Sequence, residues 1–150
     1  MKLKVKQKDL FKLPKKYYLA HCISSDFGMS GGIVLLFNKY FDMKNILQSN
    51  YEKTWNDEGY CIKEGRVYNL ITKELVGEQP TYEHLFDALY QMAHDVQTRG
   101  IKKVAMPLIG CGIDGLVWSE VEPIIKEAFH GVDCKILVCY LERDKHLLEL

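Results

Sequence analysis

Apolar and polar residues alternate along Leu3-Lys4-Val5-Lys6, the two-residue period of a strand with one face in water. Tyr17 to Ile23 is almost continuously apolar, which predicts a strand covered on both faces. Two further strands are predicted at Tyr60-Cys61-Ile62 and Val67 to Ile71, joined by Lys63-Glu64-Gly65-Arg66, and two more at Lys102 to Pro107 and Cys134 to Tyr140. Between them the period lengthens. Ile33, Leu36, Phe37, Tyr40 and Phe41 form one stripe of a helix over Ile33 to Phe41, and Asp42 to Asn50 predicts a second short helix. Thr81, after Pro80, suits the N-cap of a helix from Tyr82 to Thr98 that buries Leu85, Phe86, Leu89, Met92, Ala93 and Val96 and stops at Gly100. Ser119 with Glu122 resembles a capping box, so the last helix is expected to run from there to about Gly131. Residues 142–150 form a tail, either a helical turn or a frayed end. Strands alternate with helices and no linker or repeat interrupts them. The pattern predicts one α/β domain over residues 1–150, three layers deep, with a mixed central sheet.

Three loops follow strands: Ser24 to Gly32, Thr72 to Gln79 and Leu108 to Gly115. Ligands of such sheets bind beyond the strand carboxyl ends, so the loops converge on one cleft if their strands are parallel neighbours. Two of the loops are glycine-rich and lead into helices, an arrangement that offers main-chain N–H groups to phosphate oxygens. Asp114 lies inside the last loop, where a site that only held phosphate would not want a negative charge, and so points to chemistry. Gly110, Gly112 and Gly115 also match the G-x-G-x-x-G dinucleotide spacing. That motif belongs to a first strand–helix turn, whereas here it comes late, and Pro123 speaks against a helix running straight out of the loop.

Charge changes the picture at one end only. Lysine plus arginine and aspartate plus glutamate are 20 each, so no global field favours a polyanion. Lys2, Lys4, Lys6, Lys8, Lys12, Lys15 and Lys16 crowd the N-terminus against the single acid Asp9. They are read as solvated faces of a strand and turn, with a basic rim beside an anionic ligand as the sharper alternative. The five cysteines include no C-x-x-C pair, which predicts neither a disulfide framework nor a metal site and suits a reduced, cytoplasmic setting. No leader or membrane anchor is expected, because the charged N-terminus lacks an apolar run.

Several stretches together resemble the macrodomains, and among them the terminal ADP-ribose protein glycohydrolases. They are Leu19-Ala20-His21-Cys22-Ile23-Ser24; Met29 with Gly32-Ile33 and Leu36-Phe37; Tyr68 with Leu70-Ile71-Thr72-Lys73; Pro80-Thr81-Tyr82-Glu83; and Met106-Pro107 with Ile109-Gly110-Cys111-Gly112, Asp114 and Trp118. The resemblance implies a mixed sheet between helices and a cleft for ADP-ribose, with no cofactor. It places Asp9, with Leu10 beside it, at the adenine. It places Ser24, Met29, Gly31, Gly32 and Ile33 around the distal ribose and phosphates, and Leu108, Ile109, Gly110, Cys111, Gly112 and Ile113 around the diphosphate. Thr72 and Leu141 complete the expected substrate contacts. Lys73 is the implied nucleophile and Asp114 the implied acid/base. The chain departs from the family at Lys8, where a glycine usually precedes the early Asp, at Leu108, where close relatives carry arginine, and at Ser30, often a glycine. Either Cys139 or Tyr140 falls at a position that carries an aromatic.

The expected reaction removes mono-ADP-ribose from ester-linked acidic residues of a protein. Lysine attacks the anomeric carbon only as a neutral amine, so Lys73 must be desolvated or lie beside positive charge. Asp114 would move protons through the lysine–sugar intermediate. Without the family, Lys73 is a surface lysine and Asp114 a turn residue. His21 is expected to be a hydrogen-bonded core histidine, Cys111 a packing residue rather than a nucleophile, and Trp118 an anchor for the last helix. The alternatives are release of ADP-ribose from a nucleic-acid base, a phosphatase on ADP-ribose 1″-phosphate, and a reader that binds ADP-ribose without turnover. The expected partners are ADP-ribose and mono-ADP-ribosylated protein, with ADP-ribosylated nucleic acid as the variant, no membrane, and a monomeric state.

Overall fold

The computed structural model describes residues 1–150. Six strands, β1 (Lys2–Gln7), β2 (Tyr18–Ser24), β3 (Tyr60–Glu64), β4 (Val67–Lys73), β5 (Lys103–Met106) and β6 (Lys135–Tyr140), form one sheet in the order β1-β6-β5-β2-β4-β3. All neighbours are parallel except β3 and β4, which pair as an antiparallel hairpin, so the sheet is mixed. Parallel neighbours need crossover connections. These carry α1 (Val34–Phe41) and α2 (Met43–Asn50) after β2, α3 (Tyr82–Arg99) after β4 and α4 (Trp118–Ala128) after β5.

Because side chains alternate across a strand, each central strand serves two cores. On one face Ala20, Leu70, Val104, Met106, Ile136 and Val138 pack against Leu85, Leu89, Met92 and Val96 of α3 and Val121 and Ile125 of α4. On the other, Leu19, Ile23, Val67, Ile71, Ala105 and Leu137 meet Val34 and Phe37 of α1 and Met43 and Leu47 of α2. The three-layer arrangement follows directly from this double burial.

Local signals set most boundaries. The Thr81 hydroxyl accepts the His84 N–H at 3.0 Å and Gly100 closes α3 in the left-handed region. Phe86, expected in the core, is only half-buried, and Ala88 and Leu89 take the inward positions. The last helix differs more. It starts at Trp118, with Val117 as its cap residue, so Ser119 is not the cap; it contains Pro123 and ends at Ala128. The Ser119 N–H is taken instead by the main-chain oxygen of Leu150 at 3.0 Å. Glu142–Glu149 is a 3-10 helix rather than a frayed end, and Leu147 and Leu148 pack against the core. The N-terminal lysines are all exposed. Lys2, Lys4 and Lys6 project from β1, an edge strand, where lysines discourage pairing with another chain. No helix is long and apolar enough to cross a membrane.

His21 is fully buried in β2, stacked on Phe37 with ring centroids 3.8 Å apart, and its Nε2 meets Asn69 Oδ1 at 2.6 Å. Burial lowers its pKa to about 4, against the opposing pull of the Asn69 hydrogen bond. The native state therefore binds fewer protons than the unfolded chain between about pH 4 and pH 6.5, and stability falls as pH drops through that window. The expected loss from this one group is about 2 kcal/mol between pH 7.5 and pH 5. Urea unfolding at both pH values should show it, and His21→Gln should flatten the difference by that amount.

Candidate active site

The carboxyl ends of β2, β4, β5 and β6 open into one cleft of ≈ 490 Å³. Lys73 is the last residue of β4, and Asp114 closes a 3-10 turn, Gly112–Asp114, in the loop after β5. β2 lies between these two strands. Pairing of β2 with β4 steps from Ile23 opposite Ile71 to Ser24 opposite Lys73, leaving Thr72 as an extra residue. Such a bulge re-aims the side chain that follows it. Lys73 Nζ lies 2.8 Å from Asp114 Oδ1, with the two side chains only 11% and 17% exposed. A charge that far out of water needs a partner, and each supplies the other's.

The thiols near this pair are poor nucleophiles. Burial drives the Cys22 thiol far above its ordinary range, and the Asp114 carboxylate adds to the effect. Burial, then Asp114, pushes Cys111 up to about 11. Burial raises Cys61, Cys134 and Cys139 as well. Cys111 is thus a lining residue without thiolate character at neutral pH.

Polar recognition groups come from the main chain. The N–H groups of Gly31, Gly32 and Ile33, just before α1, have no main-chain acceptor, and neither do those of Gly112 and Ile113. The two loops touch: Ile113 Cδ1 lies 3.3 Å and 3.2 Å from where a Cβ on Gly31 or Gly32 would sit. Ile113 is itself 77% exposed, so it bridges the mouth rather than filling a core. Gly110 adopts φ +73°, and a Cβ there would lie 2.8 Å from Leu116 Cδ1. At the other end Asp9 accepts the Phe11 N–H through Oδ1 at 3.0 Å, which fixes the turn that buries Leu10.

Sixteen residues singled out from sequence line this one cleft: Asp9, Leu10, Ser24, Met29, Gly31, Gly32, Ile33, Lys73, Leu108, Ile109, Gly110, Cys111, Gly112, Ile113, Asp114 and Leu141. Thr72 does not line it; as the bulge residue it is fully buried, with its hydroxyl unpartnered. Both Cys139 and Tyr140 face the cleft. Of the N-terminal lysines only Lys8 does, so there is no lysine rim. The loop Thr72 to Gln79, expected at the cleft, contributes Val76, Gly77 and Glu78 to its lining, whereas sequence reasoning missed Arg143, Asp144 and Leu147 from the C-terminal segment. Leu147 packs beside Gly112, 3.9 Å from a Cβ placed there. The signal for it was the apolar pair Leu147-Leu148 within a charged stretch. No group of three or more His, Cys, Asp and Glu side chains is placed to hold a metal ion.

A six-stranded mixed sheet with its cleft ringed by glycine loops defines a class, and comparison with known proteins agrees. The chain belongs to the macrodomain family. The Macro domain family model matches residues 58–125. The chain is 41% identical over 132 residues to human ADP-ribose glycohydrolase OARD1, covering 87% of this chain and 86% of that protein. Among solved structures, the macrodomain of Thermus aquaticus DarG superposes with a TM-score of 0.76 at 21% identity, over 92% of this chain and 97% of that one. Thermosipho africanus DarTG in complex with ADP-ribose superposes at 0.69 with 19% identity, over 91% of this chain and 41% of that one.

Gly110 tests how tightly the loop is specified. A left-handed alanine costs about 1–2 kcal/mol, and Leu116 must also move. Gly110→Ala is expected to lower the melting temperature by about 3–8 °C in a thermal scan. A melt matching wild type would show that the loop accommodates the methyl group.

Proposed function

We propose that the protein is a hydrolase that removes mono-ADP-ribose from ester-linked acidic residues of proteins, with Lys73 as nucleophile and Asp114 as acid/base. The observation that carries this reading is the 2.8 Å contact between Lys73 Nζ and Asp114 Oδ1 at the cleft, between the two loops with free main-chain donors. The 41% identity to a protein named ADP-ribose glycohydrolase supports the substrate class.

In this mechanism the diphosphate lies on the N–H groups of Gly31, Gly32, Ile33, Gly112 and Ile113, which position the distal ribose and leave the chemistry to the side chains. Asp9 and Leu10 take the adenosine end. An ammonium is not a nucleophile, so a proton first passes from Lys73 Nζ to Asp114 along their hydrogen bond. The neutral amine attacks the anomeric carbon. A carbon–nitrogen bond forms as the carbon–oxygen bond to the acyl group breaks, and the departing carboxylate keeps the electron pair. Asp114 then supplies and withdraws the protons needed for water to hydrolyse the lysine–sugar bond, restoring the free amine.

The test compares ester-linked ADP-ribosyl protein, ADP-ribosylated DNA and ADP-ribose 1″-phosphate. Wild type should release ADP-ribose from the first. Lys73→Ala should bring release to the background rate. Asp114→Ala should lower it by about 10²–10⁴-fold; with solvent taking the Lys73 proton slowly in place of Asp114 and hydrolysis of the adduct slower still, a protein species heavier by one ADP-ribose unit should accumulate. Turnover retained in Lys73→Ala would reject the covalent route. Binding of ADP-ribose with no release from any substrate would make the protein a reader.

A further inference from the structure

The turn after β2 is strained. Phe27 and Met29 have φ of 54° and 47°, the left-handed region that favours glycine, and yet both side chains are buried. A single carboxylate organises the turn. Asp26 Oδ1 accepts the Ser24 hydroxyl at 2.5 Å and the Gly28 N–H at 2.9 Å, and its Oδ2 accepts the Val76 N–H at 3.0 Å. The neighbouring backbone adds to this. Ser25 N–H donates to the Lys73 carbonyl at 2.9 Å, Asp26 N–H donates to the Glu74 carbonyl at 3.2 Å, and the Ser25 hydroxyl donates to the same Glu74 carbonyl at 2.8 Å. Gly28 packs so closely under Val76 that a Cβ on it would lie 2.7 Å from Val76 Cβ. Burial would raise the Asp26 carboxyl, but its hydrogen bonds to Ser24, Val76 and Gly28 outweigh burial and hold it below the usual range, so it is an anion at neutral pH. Asp26 itself does not line the cleft.

Every one of these bonds from Ser25 and Asp26 lands on Lys73, Glu74 or Val76, or closes the turn that makes those bonds. We propose that Asp26 is a positioning residue. It clamps the segment that follows Lys73 to the strained turn, and so keeps the Lys73 amine within hydrogen-bond reach of Asp114. The inference rests on the reading of Lys73 as nucleophile. A strained turn persists only where its surroundings over-determine it, and here the over-determining group is also the tie to the β4 side of the cleft.

The test is Asp26→Asn, which keeps the shape but replaces one acceptor oxygen with a donor that repels either the Val76 N–H or the Gly28 N–H. With ester-linked ADP-ribosyl protein, kcat per folded molecule should fall about 10–100-fold, the scale expected for a misplaced reacting group. The Kd for ADP-ribose by calorimetry should stay within about threefold of wild type. Hydrogen exchange should speed up at least tenfold at the Val76 amide or at the Gly28 amide, whichever the new donor faces. Ser25→Ala, which removes only the hydroxyl tie to Glu74, should give a smaller loss of kcat with Kd likewise unchanged, and it decides the matter if Asp26→Asn does not fold. Unchanged kcat in a folded Asp26→Asn, or a Kd weakened as much as kcat/KM falls, overturns the positioning role. If wild type turns over none of the three substrates, the nucleophile reading fails separately, and exchange that Asp26→Asn leaves unchanged at both the Val76 and Gly28 amides would still overturn the clamp.

Discussion

The ion pair between Lys73 and Asp114 is the contact that joins the β4 and β5 sides of the cleft. The two residues are 41 positions apart and lie at the ends of strands that are not neighbours, since β2 separates β4 from β5. Neither strand alone directs both groups to one point. The bulge at Thr72 redirects Lys73, and the short turn Gly112–Asp114 carries the carboxylate back over the end of β2. The pair also explains why two charges are tolerated at 11% and 17% exposure, because removing either would strand the other. Catalysis asks for more than this resting arrangement. In the proposed mechanism the proton passes from amine to carboxylate inside this pair before attack, along the hydrogen bond that joins them.

The two cores place strain where it is useful. Phe27, Met29 and Phe37 belong to the core on the α1 side, which also contains Ile23 and Ile71 at the ends of β2 and β4. Burying these side chains compensates for left-handed backbone at Phe27 and Met29. The core on the α3 side supports the other wall. Leu108, Ile109 and Leu116 are buried there, so the glycine loop between them is anchored at both ends while Gly112 and Ile113 stay exposed. In that open middle the N–H groups of Gly112 and Ile113 have no main-chain acceptor.

Much of the fold was legible because period and capping agree. The apolar run Tyr17 to Ile23, the two strands around Lys63-Glu64-Gly65-Arg66 and the Thr81-to-Gly100 helix all carry local signals that tertiary packing reinforces. The start of α4 was misread because Ser119 and Glu122 have the spacing of a capping box, while the actual partner of the Ser119 N–H is Leu150, a contact no local pattern encodes. The C-terminal 3-10 helix was ambiguous for the same reason, since its charges outnumber Leu147 and Leu148. At the site, the glycine-loop residues that line the cleft were legible through the family's loop motifs, while Arg143, Asp144 and Leu147 were not. Thr72 was not, because a bulge is a property of strand pairing and leaves no mark in one strand's sequence. Asp26 escaped notice as well, reading as one more turn residue until its partners on the β4 side are known.

The choice of donors bears on the chemistry. In the proposed mechanism a diphosphate brings negative charge toward an amine that reacts only when neutral. Arginine at Leu108 would be one way to offset that charge. This chain has an apolar residue there, and the cations that reach the cleft besides Lys73 are Lys8 and Arg143. In the proposed reading the burden falls on main-chain dipoles from two loops, whose partial charges need no counter-ion and take no proton. In that mechanism Asp114, the one side chain hydrogen-bonded to Lys73, takes its proton. On that reading the placement of the two loops that present those dipoles, and of the segment that holds Lys73, is part of the chemistry rather than a background to it.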